Sequence, residues 1–348
     1  MPSTAWFPNP DNPNTVIRGN IDRHPKRITG TRLGAILGVN HWKTPFQAWC
    51  EITRVAEPPF AGNKYTRAGE AIEPKLIDHM RGIVSPDVYD PMMVYGPDYF
   101  EQTRGNFFAD VTDVFGGMWD ALYYVDEELA GVIECKTSSR PQDWLHGVPT
   151  HYAVQGLLYA YLLGVEDVWF PVAFLTPDVY DDPESFECTD DNTAVFHLKV
   201  DDSFREDVAR AEDWWETYVV GNVSPAFDED KDADYLAMMR TTVRSDGLVD
   251  SLTKQIDELE SRVSELEGSS PVKTYKELVS NKKVLTGLLK DAMIDLHDDE
   301  RFDVVKSNGY SLKRSVRRTV DTDKMKEDGV YDKYTKESTS YRLTRTGE

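Results

Sequence analysis

Two periodicities of apolar positions alternate along the first two thirds of the chain. "TGTRLGAILGVN" (29–40) spaces its apolar residues helically and exits through Gly-Val-Asn. "TPFQAWCEIT" (44–53) reads as a second helix, with Thr44 as its cap and Pro45 at the first helical position. A third helical signal, "YTRAGEAIEPKLIDHM" (65–80), puts Ile72, Leu76, Ile77 and Met80 on one face. "FFADVTDVFGGMWDALYYVDEE" (107–128) and "GVIECKTS" (131–138) then change to a period of two and predict sheet. "HYAVQGLLYAYLLGV" (151–165) is apolar all round, the pattern of a buried helix. "VWFPVAFL" (168–175) and "AVFHLKV" (194–200) return to strand, and "FREDVARAEDWWETYVVGN" (204–222) is an amphipathic helix. This order predicts an α/β (α+β) fold, with helices packed on a central mixed sheet.

The texture changes near Gly247. Leu252, Ile256, Leu259, Val263 and Leu266 step by alternating fours and threes, which is a heptad seam. "GSSP" (268–271) interrupts it, and "VKTYKELVSNKKVLTGLLKDAMIDLH" (272–297) follows as a second amphipathic helix, so the pair predicts a helical hairpin. A basic, strand-like tail comes next. The expected organisation is a loose Pro- and Asn-rich N-terminal arm (1–26), a core (27–235), the hairpin (247–298), and a C-terminal strand and tail (299–348) that completes the core module.

Composition narrows the class. A length of 348 residues suits about two domains, or one with a large extension. A hydrophobic content of 40% supports a sizeable core, while 29% charged residues and a mean hydropathy of -0.51 predict a soluble chain. No apolar stretch approaches the roughly 20 residues that a membrane span requires, and "MPSTAWFPNPDNPNTV" (1–16) lacks the basic and apolar regions of a signal peptide. Cys50, Cys135 and Cys188 are scattered without CxxC spacing, which excludes a disulfide framework and a four-cysteine metal cluster. A reducing cytoplasm fits.

A net charge of -22 argues at first against a nucleic-acid partner. Its distribution changes that reading. Residues 178–232 hold 18 acids against 4 bases, whereas residues 301–348 hold 12 bases against 8 acids. Within "KSNGYSLKRSVRR" (306–318) there are five basic residues and no acid. A local phosphate-binding surface is compatible with an exterior that repels nucleic acid.

The candidate chemistry centres on "AGVIECKTSS" (130–139). Residues two apart on a strand share a face, about 6.6 Å from one another along it. Glu134 and Lys136 are therefore neighbours, while Ile133 and Cys135 point the other way, into the core. An exposed edge pair would explain this stretch by itself. Asp120 in "GGMWDALYY" (116–124) lies on the preceding strand of a short hairpin, which brings a second carboxylate close. Divalent hard cations would offset so much charge, because Mg²⁺ takes carboxylate oxygens and water. On the apolar helix Gln155 is the one amide or charged side chain between Tyr152 and Gly164, and a buried amide needs a polar partner. Tyr159 follows four residues on, over the same face. Upstream, "RAGEAIEPKL" (67–76) offers Glu70, which patterning places on an exposed helix face, and Glu73.

The ordered set Gly69, Glu73 and Pro74, then Asp120, then Glu134-Cys135-Lys136, then Gln155 and Tyr159 resembles the PD-(D/E)xK nucleases. Within them it is most similar to the phage lambda exonuclease and YqaJ-type viral recombinase branch. "RITGTRLGAILGVNHWKTPFQAW" (27–49) looks like that branch's opening segment, with Thr31 where a serine is usual. "WWETYVVGNVSP" (214–225), the hairpin and the terminal "RTVDTDKMKED" and "YTKESTSYRL" also resemble YqaJ-type chains.

The resemblance implies a restriction-endonuclease-like core and a metal-dependent deoxyribonuclease. Asp120 and Glu134 would bind Mg²⁺, with Mn²⁺ as a substitute, helped by the main-chain carbonyl of Cys135. Glu73 would add a further acid through water or a second metal. Lys136 would orient or activate the attacking water, Gln155 would position the site's groups, and Thr31 or Arg27 would hold a DNA phosphate, with Tyr159 close by. Two departures stand out. The first acid lies in "MWDAL" rather than a Pro-Asp turn, and His24, Lys26 and Arg27 compete for the role of the family's phosphate-binding arginine. The implied activity is 5′→3′ degradation of double-stranded DNA ends. It would leave a 3′ single strand for an annealing protein, in the cytoplasm of a bacterial host, from a phage or prophage gene. Relatives enclose DNA in a homo-oligomeric ring, a trimer or tetramer, with no membrane involved. The alternatives are a non-catalytic DNA-end binder, a structure-specific endonuclease, and a CRISPR-type nuclease with a four-cysteine cluster, which the cysteines disfavour.

The tract at 306–318 is expected to face DNA. Reversing the charge of Lys313 and Arg314 should weaken duplex binding and lower the slope of log affinity against log salt by about 2. An unchanged slope in a salt titration would remove the tract from the DNA surface.

Overall fold

The apolar stripe of residues 65–80 lies against a sheet, and this contact organises the N-terminal part of the chain. In a computed structural model the described residues are 5–346, apart from 60–61, 244–245, 267–271, 298–300 and 321–334. The chain divides into two compact units, Met1–Tyr235 and Leu236–Glu348.

In the first unit β1 (Trp6–Pro8) and β2 (Val16–Arg18) pair antiparallel. The segment expected as a loose arm is thus folded. Trp6 and Val16 are buried, the Val16 amide donates to Ser224 Oγ at 2.9 Å, and Ile17 bridges to Val223. Burial of these apolar residues offsets the Pro and Asn content that suggested disorder.

Helix α1 (Gly30–Ile36) and helix α2 (Pro45–Thr53) follow as predicted, and the Gln47 amide donates to the Thr44 hydroxyl at 3.1 Å. Helix α3 (Lys64–Arg81) starts at Asn63, whose side chain accepts from the Tyr65 and Thr66 amides. Its stripe of Ala68, Ile72, Leu76, Ile77 and Met80 packs into a core cluster with Ala121, Ile133 and Cys135. Strand β3 (Val88–Tyr89) and the short helices α4 (Pro91–Tyr95) and α5 (Tyr99–Thr103) come next.

Strand β4 (Ala121–Val125) begins later than the alternating pattern from Phe107 predicts. Residues 107–120 form turns instead. Asn106 Oδ1 accepts from the Phe108 and Gly117 amides at 3.1 and 3.0 Å, and the aromatic residues cluster, with Phe107 and Trp119 centroids 4.8 Å apart. The apolar alternation here serves packing rather than a ladder.

Strands β5 (Glu128–Ile133) and β6 (Lys136–Ser138), helix α6 (Thr150–Leu163), strand β7 (Asp167–Phe174), helix α7 (Pro177–Asp181), strand β8 (Thr193–Lys199) and helix α8 (Asp202–Trp214) complete the sandwich, followed by α9 (Ala233–Met239). The sheet is mixed, as expected. Strand β4 pairs antiparallel with β3 and β5, β7 takes β5 and β6 parallel along one edge, and β8 pairs antiparallel on the other. Beyond α8, Trp215–Val220 widens into a π-helical turn, where Trp49 Nε1 donates to the Tyr218 carbonyl at 2.8 Å.

The second unit joins β9 (Thr241–Val243), α10 (Gly247–Leu266), α11 (Val272–Asp295), β10 (Val304–Ser307), β11 (Tyr310–Val320) and β12 (Thr335–Arg345). Its sheet runs β12-β11-β10-β9. Leu252 and Ile256 of the heptad seam pack with Leu289, Met293, Val305, Tyr310 and Leu312. The C-terminal strands, expected to complete the core module, pack on the hairpin within this unit, where the hairpin's apolar face supplies the surface that β10 and β11 bury. The "GSSP" break and residues 321–334 of the terminal segment lie outside the described residues. Among the described residues, no helix is long and apolar enough to cross a membrane.

One half-buried acid ties α2 to its surroundings. Glu51 accepts from Lys43 Nζ at 2.7 Å and from the Tyr235 hydroxyl, with Arg32 Nε at 3.5 Å. Burial opposes its ionisation, but the hydrogen bonds of Lys43 and Tyr235 and the charges of Lys43 and Arg32 prevail and hold its carboxyl below the usual range. A carboxyl with a lowered folded-state pKa stabilises the fold above its unfolded pKa, and this stability disappears as pH falls through the folded value. Glu51→Gln should therefore cost about 2 kcal/mol at pH 7 in urea denaturation. The gap to wild type should close as the pH is taken below about 4.

Candidate active site

Register brings the two carboxylates together. In the β4–β5 hairpin Ala121 pairs with Ile133, and both belong to the core face under α3. Asp120 and Glu134 lie one step beyond this last ladder pair. Glu134 is linked to α6 through Lys136, which bonds both it and Gln155. The hairpin turn Asp126–Glu127 has positive φ at both residues (50° and 67°), as a tight two-residue hairpin requires.

Glu134 is fully buried, at 0% exposure, so the edge-strand reading of this stretch does not hold. Its Oε1 accepts from Lys136 Nζ at 2.6 Å, while Oε2 is buried without a hydrogen-bond partner. Lys136 Nζ also donates to Gln155 Oε1 at 3.3 Å and lies 5.6 Å from the centre of the Tyr152 ring. The polar partner that the apolar helix α6 needed for its amide is thus the lysine.

Between β5 and β6 the ladder is interrupted at Glu134 and Cys135, although the register on β7 is the same on both sides. The Glu134 amide donates to the Trp169 carbonyl at 2.9 Å, and the next donor along β7 would come from Pro171, which has no N–H. Cys135 turns its amide to the opposite edge, donating to Asp120 Oδ2 at 2.8 Å. In an extended chain the N–H and C=O of one residue face the same edge, so the Cys135 carbonyl also looks toward Asp120. The Cys135 side chain packs under α3 near the Glu73 carbonyl, and burial pushes its thiol pKa well up, which leaves it inert.

Glu73 reaches the site from α3, on the other side of the sheet, close enough for its charge to act on Asp120 and Glu134. Burial, then repulsion by Asp120, raises the Glu73 pKa to about 8, with Lys136 opposing. Glu134 is likewise raised to about 8 by burial and by Asp120, again against the pull of Lys136. Burial raises Asp120 too, although Lys136 and the Cys135 amide favour its ionised form. Lys136 keeps its proton: burial works against its charge, but Glu134 and Asp120 outweigh it and raise its pKa. Glu70 is exposed, as patterning indicated.

Fully ionised, three carboxylates would stand against one ammonium in a desolvated corner, and the raised pKa values of Glu73 and Glu134 are the response to that excess. Among the described residues no three His, Cys, Asp or Glu side chains stand as a ready metal-ligand group. The donor set on offer is of another kind: Asp120, the unpartnered Oε2 of Glu134 and the Cys135 carbonyl, with Glu73 alongside. All are hard oxygens, so the residues fit a divalent cation of the Mg²⁺ or Mn²⁺ type.

Two close approaches hold the supports. An added Cβ at Gly30 would lie 2.4–2.7 Å from Gln155, including its Cα, so α1 rests directly on the residue that orients Lys136. Gly117, at φ +140°, sits where a Cβ would strike the Tyr159 hydroxyl at 2.6 Å. Tyr159 is buried and stacks on Phe108 at 5.7 Å. Burial and the charges of Glu134 and Asp120 keep its hydroxyl protonated, so it acts as packing beneath the site.

The phosphate-binding candidates are dispersed. Thr31 is exposed on α1. Arg27 donates to the Phe108 and Ala109 carbonyls at 3.0 and 3.2 Å and pairs with Asp113 at 3.0 Å, so its guanidinium braces the 108–113 turn. Lys26 pairs with Glu57. Lys313, exposed, and Arg314, half-buried, lie on β11 in the second unit. Sequence reasoning passed over Asp90, whose charge helps raise the Glu73 pKa, and Tyr99, whose hydroxyl is kept protonated by burial and then by the charge of Glu73. Asp90 had a signal, since it precedes Pro91 as a helix cap, with its carboxylate accepting from the Met93 amide at 2.8 Å. Tyr99 had none.

Residues 21–166 match the family model of the YqaJ-like viral recombinase domain, which bears out the resemblance read from the site motifs. An uncharacterized protein of Mycoplasma genitalium is 28% identical over 59% of this chain and 84% of its own length. Its homolog in Mycoplasma pneumoniae is 25% identical over 58% of this chain and 83% of its own. Among solved structures, a phage-related exonuclease from Haemophilus somnus is similar at 15% identity and a TM-score of 0.38, over 57% of this chain and 97% of that one.

A cation held at this corner should stabilise the folded chain by mass action, about 2.7 kcal/mol at a hundredfold excess over its dissociation constant. Calorimetry with Mg²⁺ or Mn²⁺ against EDTA should show a higher Tm for the wild type and no shift for Asp120→Asn. Equal shifts in both proteins would place the cation elsewhere.

Proposed function

With residues 21–166 carrying a YqaJ-like viral recombinase domain, we propose that the protein hydrolyses phosphodiesters at the ends of double-stranded DNA in a reaction that depends on Mg²⁺. The observation that carries this reading is the buried Glu134, beside Asp120 at the end of the β4–β5 hairpin, with one oxygen unpartnered and the other on Lys136. A purely structural strand has no use for so costly a set.

Asp120, Glu134 and the Cys135 carbonyl would hold the cation, with Glu73 as a further acid. When bound, it would polarise a phosphate oxygen, lower the pKa of a coordinated water and neutralise the leaving oxygen. The remaining contribution belongs to the chain itself. Lys136 is cationic, so it stabilises charge developing on the phosphate rather than removing a proton from water. Gln155 and Glu134 hold its ammonium in place. Glu73, hard to ionise in its surroundings, is suited to sharing a proton with a water at the edge of the site.

Degradation runs 5′→3′ and leaves a 3′ single strand for an annealing protein, as the family resemblance implies. The basic β11 tract faces DNA within a homo-oligomeric ring, which reconciles an acidic exterior with an anionic substrate.

The test is a labelled linear duplex with and without Mg²⁺ or Mn²⁺. Wild type should release nucleotides from the 5′ label in a metal-dependent way and leave a closed circle whole. Asp120→Asn and Lys136→Met should lower the rate by at least about 10² while binding DNA as the wild type does. Cutting of the circle would make the protein an endonuclease, and inactivity with both metals would make it an end binder.

A further inference from the structure

Next to the acidic corner the first unit opens into a cleft of about 700 Å³ whose lining differs in character from the catalytic groups. Such a volume lies within the roughly 300–1,000 Å³ of small-ligand sites and has room for a nucleotide. Residues Thr137–Ser139, which directly follow Lys136 on β6, form part of its wall, so the cleft is continuous with the catalytic strand.

Aromatic rings dominate its rim. Tyr65 and Tyr180 meet edge to face at 5.1 Å, and Trp42 meets His151 in the same way at 5.0 Å. Trp42 is 68% exposed on the loop between α1 and α2, and Tyr65 is 55% exposed at the start of α3. Large rings left in water at a concave site are surface waiting for a flat apolar partner. His151, whose ring lies 4.1 Å from that of Tyr152, has its Nε2 buried without a hydrogen-bond partner. Cations border the rings. Lys64 Nζ sits 5.3 Å from the Tyr65 ring centre and 5.5 Å from that of Tyr180, and Arg140 lines the cleft beside Asp143, its ion-pair partner at 3.8 Å. Rings for bases and cations for phosphates form the combination that holds single strands without regard to sequence.

We propose that this cleft is a stacking subsite for an unpaired nucleobase adjoining the scissile phosphate. The strand being cut enters with its base against Trp42 and Tyr65 while Lys64 and Arg140 meet its backbone. A paired base is held to its partner and stacked within the duplex, so it cannot lie among these rings, and the subsite admits the strand only where it has left the duplex. The inference rests on the nuclease reading, from which its test can be separated.

The first arm uses wild type with Mg²⁺ and a linear duplex whose terminal nucleotides are normal or abasic. Loss of the bases should slow hydrolysis about tenfold, and Trp42→Ala or Tyr65→Ala should slow the normal substrate about tenfold. On the abasic duplex the variants should be no slower than wild type, since the lost contact is the same one. If wild type cuts both duplexes at one rate, or the variants are slowed equally on both, the subsite is refuted. The second arm needs no catalysis. Metal-free full-length protein is titrated into a single-stranded oligonucleotide carrying 2-aminopurine. Quenching by wild type that is lost in Trp42→Ala supports the cleft even if no DNA is hydrolysed. Absence of quenching by a wild type that does hydrolyse DNA refutes the cleft and leaves the nuclease standing.

Discussion

The structure depends on holding the Glu134 carboxyl out of water. A buried carboxylate costs several kcal/mol unless its partners are close and well aligned. Here one oxygen has Lys136 at 2.6 Å and the other has nothing, while Asp120 stands beside it at the end of the hairpin. The fold accepts this imbalance because its neighbours are fixed. Cys135 contributes its amide to Asp120, Gln155 takes the second hydrogen bond of the lysine, and Trp169 anchors the strand from behind. The unmet demand is for positive charge at one oxygen. That is a local instability, and it is what the proposed divalent cation would relieve.

The supports show how a strand end becomes a site. Pro171 in β7 withholds a ladder donor where β5 gives way to β6, and the chain there turns its peptide groups toward Asp120 instead. On one face α3 packs Ile72 and Leu76 against Cys135 and brings Glu73 to the margin. On the other, α1 rests on Gln155 through Gly30. Each contact is ordinary packing, and together they leave the acidic side chains few rotamers in which to escape one another.

The second unit is built on different terms. A heptad seam and a basic, mixed sheet share one apolar cluster, with the ion pairs of Arg345 to Asp257 and of Lys282 to Glu260 on its surface. Its basic strand β11 carries Lys313 exposed, next to Leu312, which faces the core. Lys313 and Leu312, as sequence neighbours on a strand, point to opposite faces, so charge and core stand side by side in one short tract.

Much of this was legible along the chain. The 3.6-residue stripes of α3 and α8, the Thr44–Pro45 start of α2, the apolar α6 and the heptads of α10 follow from local rules of backbone geometry and side-chain polarity. The pairing of Glu134 with Lys136 follows from the two-residue period of a strand, and that of Asp120 with Glu134 from the shortness of one hairpin. The chain did not disclose that 107–120 would be turns, because aromatic residues packed in a cluster alternate much as a strand does. Nor did it disclose that the N-terminal arm is anchored by Trp6 and Val16, or that the C-terminal strands cover the hairpin. The bracing of Arg27 by the 108–113 turn, the nearness of Asp90 and Tyr99 to Glu73, and the aromatic cleft around Trp42 and Tyr180 join residues far apart in sequence. Local sequence determines which side chains share an element's face. Which elements come to share a space is settled by packing over the whole core, and only tertiary structure decides it.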